Sequence, residues 1–287
     1  MSFRNFLARS MLVVVALSSA GASPAGGQSP QGAVLLQLRP KAGDLLRLRL
    51  DQTIETGRES SEADTSISEM TTLVMLARIQ VESTDLQGAT VLASADSVRI
   101  TSDSDYPSAI LASARALEGQ RFRFRVATDG ATTMSSGQAW AAPAVGSLLS
   151  QLPATLPRDP VALGASWTRA VEIPLVATPD GKAAAILTAT FRFDSLSRSG
   201  EFAYLSIRGR LIRSGPVAGS DAGDGRRSTG FVQTSGSVTG TVLIDRRRGW
   251  ITDAHTVIAL RSLVSGTGKD SAPVRVRMKI TQWMRVM

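Results

Sequence analysis

Apolar and polar residues alternate along most of this chain. In residues 46–50 leucine alternates with arginine, and the same alternation recurs over residues 122–126 and 274–280. Longer alternating runs cover residues 73–81, 187–193, 205–211 and 238–244. Because successive side chains of a β-strand point to opposite faces, each run predicts a strand with one apolar side and one polar side.

One-sided strands of this kind are typical of an antiparallel sheet that is covered on one face. We therefore predict a mainly β fold with a large curved antiparallel sheet, either an open half-barrel or a closed barrel. Residues 107–117 and 138–152 instead space their apolar side chains as a helix does, although Pro143 and Gly146 weaken the second segment. These two short helices are the natural cover for the apolar face.

The N-terminal segment has the features of an export signal. Arg4 and Arg9 precede a short apolar run over residues 11–17, and the small residues 20–22 form a cleavage pattern. The run is much shorter than the ~20 residues of a membrane-spanning helix. We predict a cleaved signal peptide over residues 1–22, a flexible leader over residues 23–32, and a periplasmic or secreted protein with no transmembrane segment after cleavage.

Residues 33–287 are predicted to form a single β-rich domain. The chain contains no cysteine, so it is not a lipid-modified lipoprotein, and its core must be stable without disulfides. A proline-rich stretch over residues 152–160 separates two halves, 33–152 and 161–287, that share features. Gly43 and Gly164 each lead into a strand, and turn signals follow at 129–130 and 245–249. These features indicate a duplication or the chance recurrence of turn signals.

The formal net charge is +8, and most of the basic residues are arginine. Nucleic-acid binding requires basic residues clustered with stacking aromatic residues, and aromatic residues make up only 5% of this chain. We therefore predict no nucleic-acid partner. The arginine excess has two explanations: a compositional bias of the genome, or attraction to an anionic surface such as lipid headgroups or acidic glycans.

The polar faces of two predicted strands carry the candidate binding residues. If these two strands were neighbours, their arginine side chains would form a basic stripe that could hold phosphates or carboxylates. Trp283 and Arg285 lie an even number of residues from Arg277, so the alternation of the strand places both on the same polar face. Alternatively, these arginines only solvate the outer face and discourage edge-to-edge pairing. The candidates are Arg121, Arg123, Arg125, Arg275, Arg277, Lys279 and Trp283.

Nothing in the sequence forms a catalytic constellation. His255 is the only histidine, and Asp253, two residues earlier on the same strand face, could orient its imidazole. No nucleophile can be named, because serine is frequent and no Gly-x-Ser-x-Gly motif is present. We predict no catalytic residues and a non-enzymatic protein, with a hydrolase that uses His255 as the least favoured alternative.

The sequence also predicts no metal site and no cofactor. One histidine without cysteine excludes the usual zinc and copper sites. The acidic segments 103–105 and 221–225 could bind calcium, but neither has the ligand spacing of an EF-hand. Residues 266–269 form a Gly-Thr-Gly-Lys turn, which differs from a phosphate-binding loop because Leu263 and Asp270 replace its required glycine and hydroxyl residue.

Three short motifs carry a resemblance: residues 38–45 (LRPKAGDL), residues 163–167 (LGASW), and residues 240–245 (GTVLID) followed by Gly249. Their layout over the chain resembles a family of exported bacterial proteins of unknown function, which has no established catalytic residues. At the level of architecture, a curved antiparallel sheet that holds helices is similar to periplasmic lipoprotein carriers and related lipid-binding half-barrels. By fold analogy, this similarity implies a lipid or another hydrophobic ligand.

Three functions remain open from the sequence. The first is an exported non-enzymatic protein that binds an apolar or amphipathic ligand within the curved sheet. The second is a structural or interaction protein of the cell envelope, whose arginine-rich outer face binds an anionic envelope component. The hydrolase is the third.

Overall fold

The computed structural model describes residues 32–60, 67–103, 118–136, 156–174, 184–218, 229–265 and 273–287. The predicted signal peptide, the leader up to residue 31 and both predicted helices lie outside these ranges. The same is true of residues 221–225 and 266–269. The described residues contain no helix.

The described residues form eleven strands, and the alternating runs of the sequence lie within them. The strands are β1 (Leu45–Ser60), β2 (Ile67–Asp85), β3 (Gly88–Ser102), β4 (Arg121–Ala127), β5 (Thr132–Ser136), β6 (Ser166–Pro174), β7 (Ala184–Leu196), β8 (Phe202–Ala218), β9 (Thr229–Asp245), β10 (Trp250–Ser265) and β11 (Val274–Val286).

All eleven strands belong to one antiparallel sheet, in the order β5-β4-β3-β2-β1-β11-β10-β9-β8-β7-β6. The first and last of the described strands, β1 and β11, pair at the middle of the sheet. Strands β2–β5 extend the sheet on one side, and strands β10–β6 extend it on the other. The prediction of a mainly β fold with a large antiparallel sheet is therefore confirmed.

The alternative prediction of a closed barrel was wrong. The strands at the two edges of the sheet, β5 and β6, do not pair with each other in the described part of the chain. Other segments cross between the two edges instead. Leu156 donates its backbone N–H to Asp129 in the β4–β5 turn, and Val34 forms an antiparallel bridge with Val161. The half-barrel shape and the covering helices stay predictions.

Residues 34–39, which we call the strap, show that the sheet bends. The backbone N–H of Leu38 donates to Thr128 O at 2.8 Å, and that of Arg39 donates to Gly249 O at 2.9 Å. These acceptors lie next to β4 and β10, five strand spacings apart, or about 24 Å on a flat sheet. Leu38 and Arg39 are consecutive residues, whose Cα atoms are only about 3.8 Å apart. The sheet must therefore curve to bring both acceptors to the strap.

The core lies on the side of the sheet that faces the strap. Leu46, Leu48 and Leu50 of β1 are buried, as the alternation predicts, and Leu36 and Leu38 of the strap pack into the same cluster. The cluster extends across the sheet from β4 to β7. The strap therefore covers the inner, apolar face at the end of the sheet where the β2–β3, β4–β5, β7–β8 and β9–β10 turns lie.

Strands β1 and β6 begin with the same pair of backbone hydrogen bonds. Gly43 donates to Val81 O at 2.9 Å, and the residue after Gly43 accepts the N–H of Val81 at 2.9 Å. Gly164 donates to Phe193 O at 2.7 Å, and the residue after Gly164 accepts the N–H of Phe193 at 2.9 Å. A β-bulge follows directly after Val81 and after Phe193. The two strands therefore begin in the same way, and the division into two similar halves, 33–152 and 161–287, stays a prediction.

Candidate functional site

The inner face contains an apolar cleft between the first half of the sheet and β11. The cavity volume is about 60 Å³, rising to about 880 Å³ when the space that opens to solvent is counted. Its walls come from β1–β5, from β11, from the start of β10 and from the strap. The lining residues used below are Leu38, Leu50, Ala93, Phe124, Trp250 and Gln282.

Side-chain size explains why the cleft lies in the first half. Ile79 of β2 pairs with Ala93 of β3, and both line the cleft. The matched position in the second half pairs Phe191 of β7 with Ile207 of β8, and these two residues are 0% and 2% exposed. The larger pair fills the space that the smaller pair leaves open.

The strap closes one end of the cleft. Leu38 lines the cleft beside Trp250, the first residue of β10, which is only 4% exposed. Gly249, immediately before it, has φ +63°, and a Cβ atom there would lie 2.3 Å from Arg39 O. A glycine is therefore needed for the strap to lie this close to the β9–β10 turn.

Three buried polar residues cross the middle of the inner face. Thr256 of β10 pairs with Gln282 of β11, and Gln282 pairs with Gln52 of β1. They are 6%, 6% and 4% exposed, and we call them the polar row. The sequence reasoning missed them, although the signal was present. Gln52 occupies the next inward-facing position of β1 after Leu48 and Leu50, where the alternation calls for an apolar residue.

The polar row has no hydrogen-bonding partners within the described part of the chain. Neither side-chain amide nor the Thr256 hydroxyl makes a hydrogen bond there, and Gln282 lines the cleft. Among the described residues, Thr252 Oγ1 is the only side-chain polar atom that both lacks a hydrogen bond and is inaccessible to solvent, and Thr252 is not part of the row. The polar atoms of the row therefore retain access to open space.

The candidate arginines of the outer face do not form one stripe. Arg121, Arg123 and Arg125 lie on β4, whereas Arg275 and Arg277 lie on β11 with Lys279. Strands β3, β2 and β1 separate the two groups, a distance of about 19 Å along the sheet. The adjacency on which the basic stripe depended is therefore absent, and a binding role for these residues stays a prediction.

Carboxylates on β2, two strands from β4, and on β1, next to β11, neutralise part of this charge. Arg123 donates to both carboxylate oxygens of Glu82, at 2.7 and 2.9 Å. Arg125 pairs with Asp85. On the other strand Lys279 donates to Glu55 at 3.0 Å, and Arg277 also has an interaction partner. The pattern indicates cross-strand ion pairing as well as solvation of the outer face.

Acid should weaken the attachment of β4. The hydrogen bonds from Arg123 lower the pKa of Glu82, and a hydrogen bond from Arg125, with one from the Gln87 backbone, lowers the pKa of Asp85. A carboxylate with a lowered folded-state pKa stabilises the fold above its unfolded-state pKa, and this contribution is lost as the pH falls through the folded-state value. We expect the urea midpoint to fall as the pH drops below about 4.5.

In this test, the double variant Glu82→Gln with Asp85→Asn should show a shallower fall of the urea midpoint with pH. The control Glu69→Gln, which removes a carboxylate outside these pairs, should retain the wild-type slope. Equal slopes for all three proteins would contradict the prediction.

Trp283 lies on the outer face with Arg285, as its parity predicted. The residue is 41% exposed, and the Arg285 guanidinium lies 4.3 Å from the centroid of its ring. The indole N–H donates to Asp253 Oδ2 at 2.9 Å. His255 lies directly opposite Trp283 on β10. In this structure Asp253 therefore holds the indole, and the described hydrogen bonds do not link it to His255.

The described residues contain no group of three or more histidine, aspartate or glutamate side chains arranged to hold a metal ion. They also contain no helix long and apolar enough to cross a membrane.

Among the comparisons with known proteins, only the solved structures give matches, and the match described here is weak. No protein-family model and no curated protein matches the chain. Among solved structures, the chain is similar to a proposed exported protein with a YmcC-like fold from Bacteroides fragilis, with 10% sequence identity and a TM-score of 0.16. The match covers 85% of this chain and 98% of the other. At this identity and TM-score, the similarity carries no conclusion about fold or function.

Proposed function

We propose that this chain is an exported, non-enzymatic protein that binds an apolar or amphipathic ligand on the inner face of its sheet. The observation that carries the proposal is the apolar cleft beside the strap. Apolar side chains of β1–β4 line the cleft there, whereas the matched positions of β7 and β8 carry the larger pair Phe191 and Ile207. Export rests on the charged and apolar pattern of residues 1–22.

The size of the cleft limits how a ligand binds. A cavity volume of about 60 Å³ admits only a small part of an acyl chain, so we expect the remainder to lie along the side of the cleft that opens to solvent. Each buried methylene group contributes about 0.8 kcal/mol. Several must therefore be buried to offset the cost of association. A long apolar chain meets this requirement better than a small compact molecule.

Mass spectrometry of the natively expressed protein tests the proposal. The protein is purified from its own cell envelope without detergent and measured in native form and after organic extraction. We expect a hydrophobic molecule in a near-stoichiometric amount. An apo mass, together with no binding of added 1-monomyristoylglycerol, would reject the proposal.

A further inference from the structure

We infer that the polar row holds the uncharged polar group of the ligand, which makes the ligand a neutral amphiphile with an ester, amide or hydroxyl next to its apolar chain. This inference rests on the proposed function. It is carried by three adjacent polar side chains, Thr256, Gln282 and Gln52, that are more than nine-tenths buried and lack partners among the described residues.

Other polar side chains of the inner face satisfy one another. The hydroxyls of Thr234 and Ser262, on β9 and β10, lie 2.9 Å apart, and those of Thr71 and Ser102, on β2 and β3, also lie 2.9 Å apart. The polar row differs from these pairs, because its members lie side by side without bonding. Because the polar atoms of the row still reach open space, the hydrogen bonds that they do not make to one another are available to an external polar group.

The chemistry of the row selects a neutral group. Each glutamine amide offers donors and an acceptor, and the threonine hydroxyl offers both. An ester, an amide or a hydroxyl matches this set. The described cations of the inner face are remote or engaged: Arg58 lies six residues from Gln52, about 20 Å along β1, and Arg169 donates to Leu156 O at 3.2 Å. A buried anion would therefore lack a counter-charge.

The position of the row also sets the orientation of the ligand. Gln282 lines the cleft at the level of Gln52, and Trp250 lines it at the end that the strap closes. The distance from Gln52 to Leu46 along β1 is about 20 Å. A ligand that bonds to the row therefore directs its apolar chain toward Trp250, and its more polar end remains near the opposite end of the sheet.

The test compares three probes with the same chain: 1-monomyristoylglycerol, which has a neutral ester, myristate, which is an anion, and tetradecane, which has no polar group. Binding is followed by the fluorescence of Trp250, and Trp250→Phe confirms the origin of the signal. The variants are Gln282→Met and Gln52→Met, which retain the side-chain length without the amide. Gln233→Met, on the exposed face of β9, is the matched control.

We expect the wild-type protein to prefer the neutral ester over both other probes. Gln282→Met should weaken ester binding about tenfold, the value of one hydrogen bond, and leave tetradecane binding unchanged. The melting temperature of the ligand-free variant should not fall, because the removed amide has no described partner. The control should behave as the wild type.

Three results would overturn the inference. Equal binding of ester and tetradecane by the wild type and by Gln282→Met would reject the role of the row and leave the proposed function intact, whereas binding of none of the probes would reject both. A large fall in the melting temperature of ligand-free Gln282→Met would show that the amide is satisfied within the protein, which also rejects the inference.

Discussion

Ligand binding should be lost when the cleft is filled with the side chains that the second half of the sheet already uses. The double variant Ala93→Ile with Ile79→Phe copies Ile207 and Phe191 into the matched positions of β3 and β2. The added groups occupy the cleft, so a bound chain would clash with them. We expect the affinity for 1-monomyristoylglycerol to fall at least about tenfold, as overpacking of a filled site implies.

The fold should tolerate this change, because each added methylene that fills empty apolar space contributes about 0.8 kcal/mol. Calorimetric binding and urea unfolding of the same preparation separate the two effects. Ser94→Ile, on the opposite face of β3, enlarges a side chain outside the cleft and is the control. Wild-type affinity in the double variant would place the ligand elsewhere.

Replacing Gly249 with alanine should release the strap. A Cβ atom at this position would lie 2.3 Å from Arg39 O, and the φ of +63° is already unfavourable for alanine. Relief of the clash moves the strap away and exposes Leu36 and Leu38, which are 0% and 4% exposed. Each buried leucine contributes about 1.5–3 kcal/mol, so we expect the free energy of unfolding to fall by about 3 kcal/mol or more.

Urea unfolding measures this loss, and hydrogen exchange locates it, since the backbone N–H of Arg39 loses its bond to Gly249. Gly164→Ala is the matched control. It has a φ of +82° with no atom within 4 Å of the added Cβ, so only the backbone cost of about 1 kcal/mol applies. A similar loss in both variants, with Arg39 still protected, would show that the strap does not depend on this contact.

The sequence alone determined the strands and the face that each of them buries. Leu46, Leu48 and Leu50 are buried, and Phe122 and Phe124 are buried on β4, as alternation required. This information is local, because the two-residue period of a strand is set by its own backbone. The same parity placed Trp283 on the outer face.

The order of the strands could not be obtained in this way. Every strand shows the same alternation, so the pattern does not say which strands pair. The pairing of β1 with β11 joins residues more than 200 positions apart, such as Glu55 and Lys279. That order separates the arginines of β4 from those of β11, and it leaves the sheet open where the sequence also allowed a closed barrel.

The candidate site depends on both levels. Gln52 and Gln282 each interrupt an apolar alternation, which is visible in the sequence, but only the pairing of their strands makes them neighbours and places Thr256 beside them. The cleft depends entirely on tertiary structure. Ala93 is a small residue like many others until β2 and β3 pair and the strap bends across the sheet, because empty space is a property of side chains brought together from distant parts of the chain.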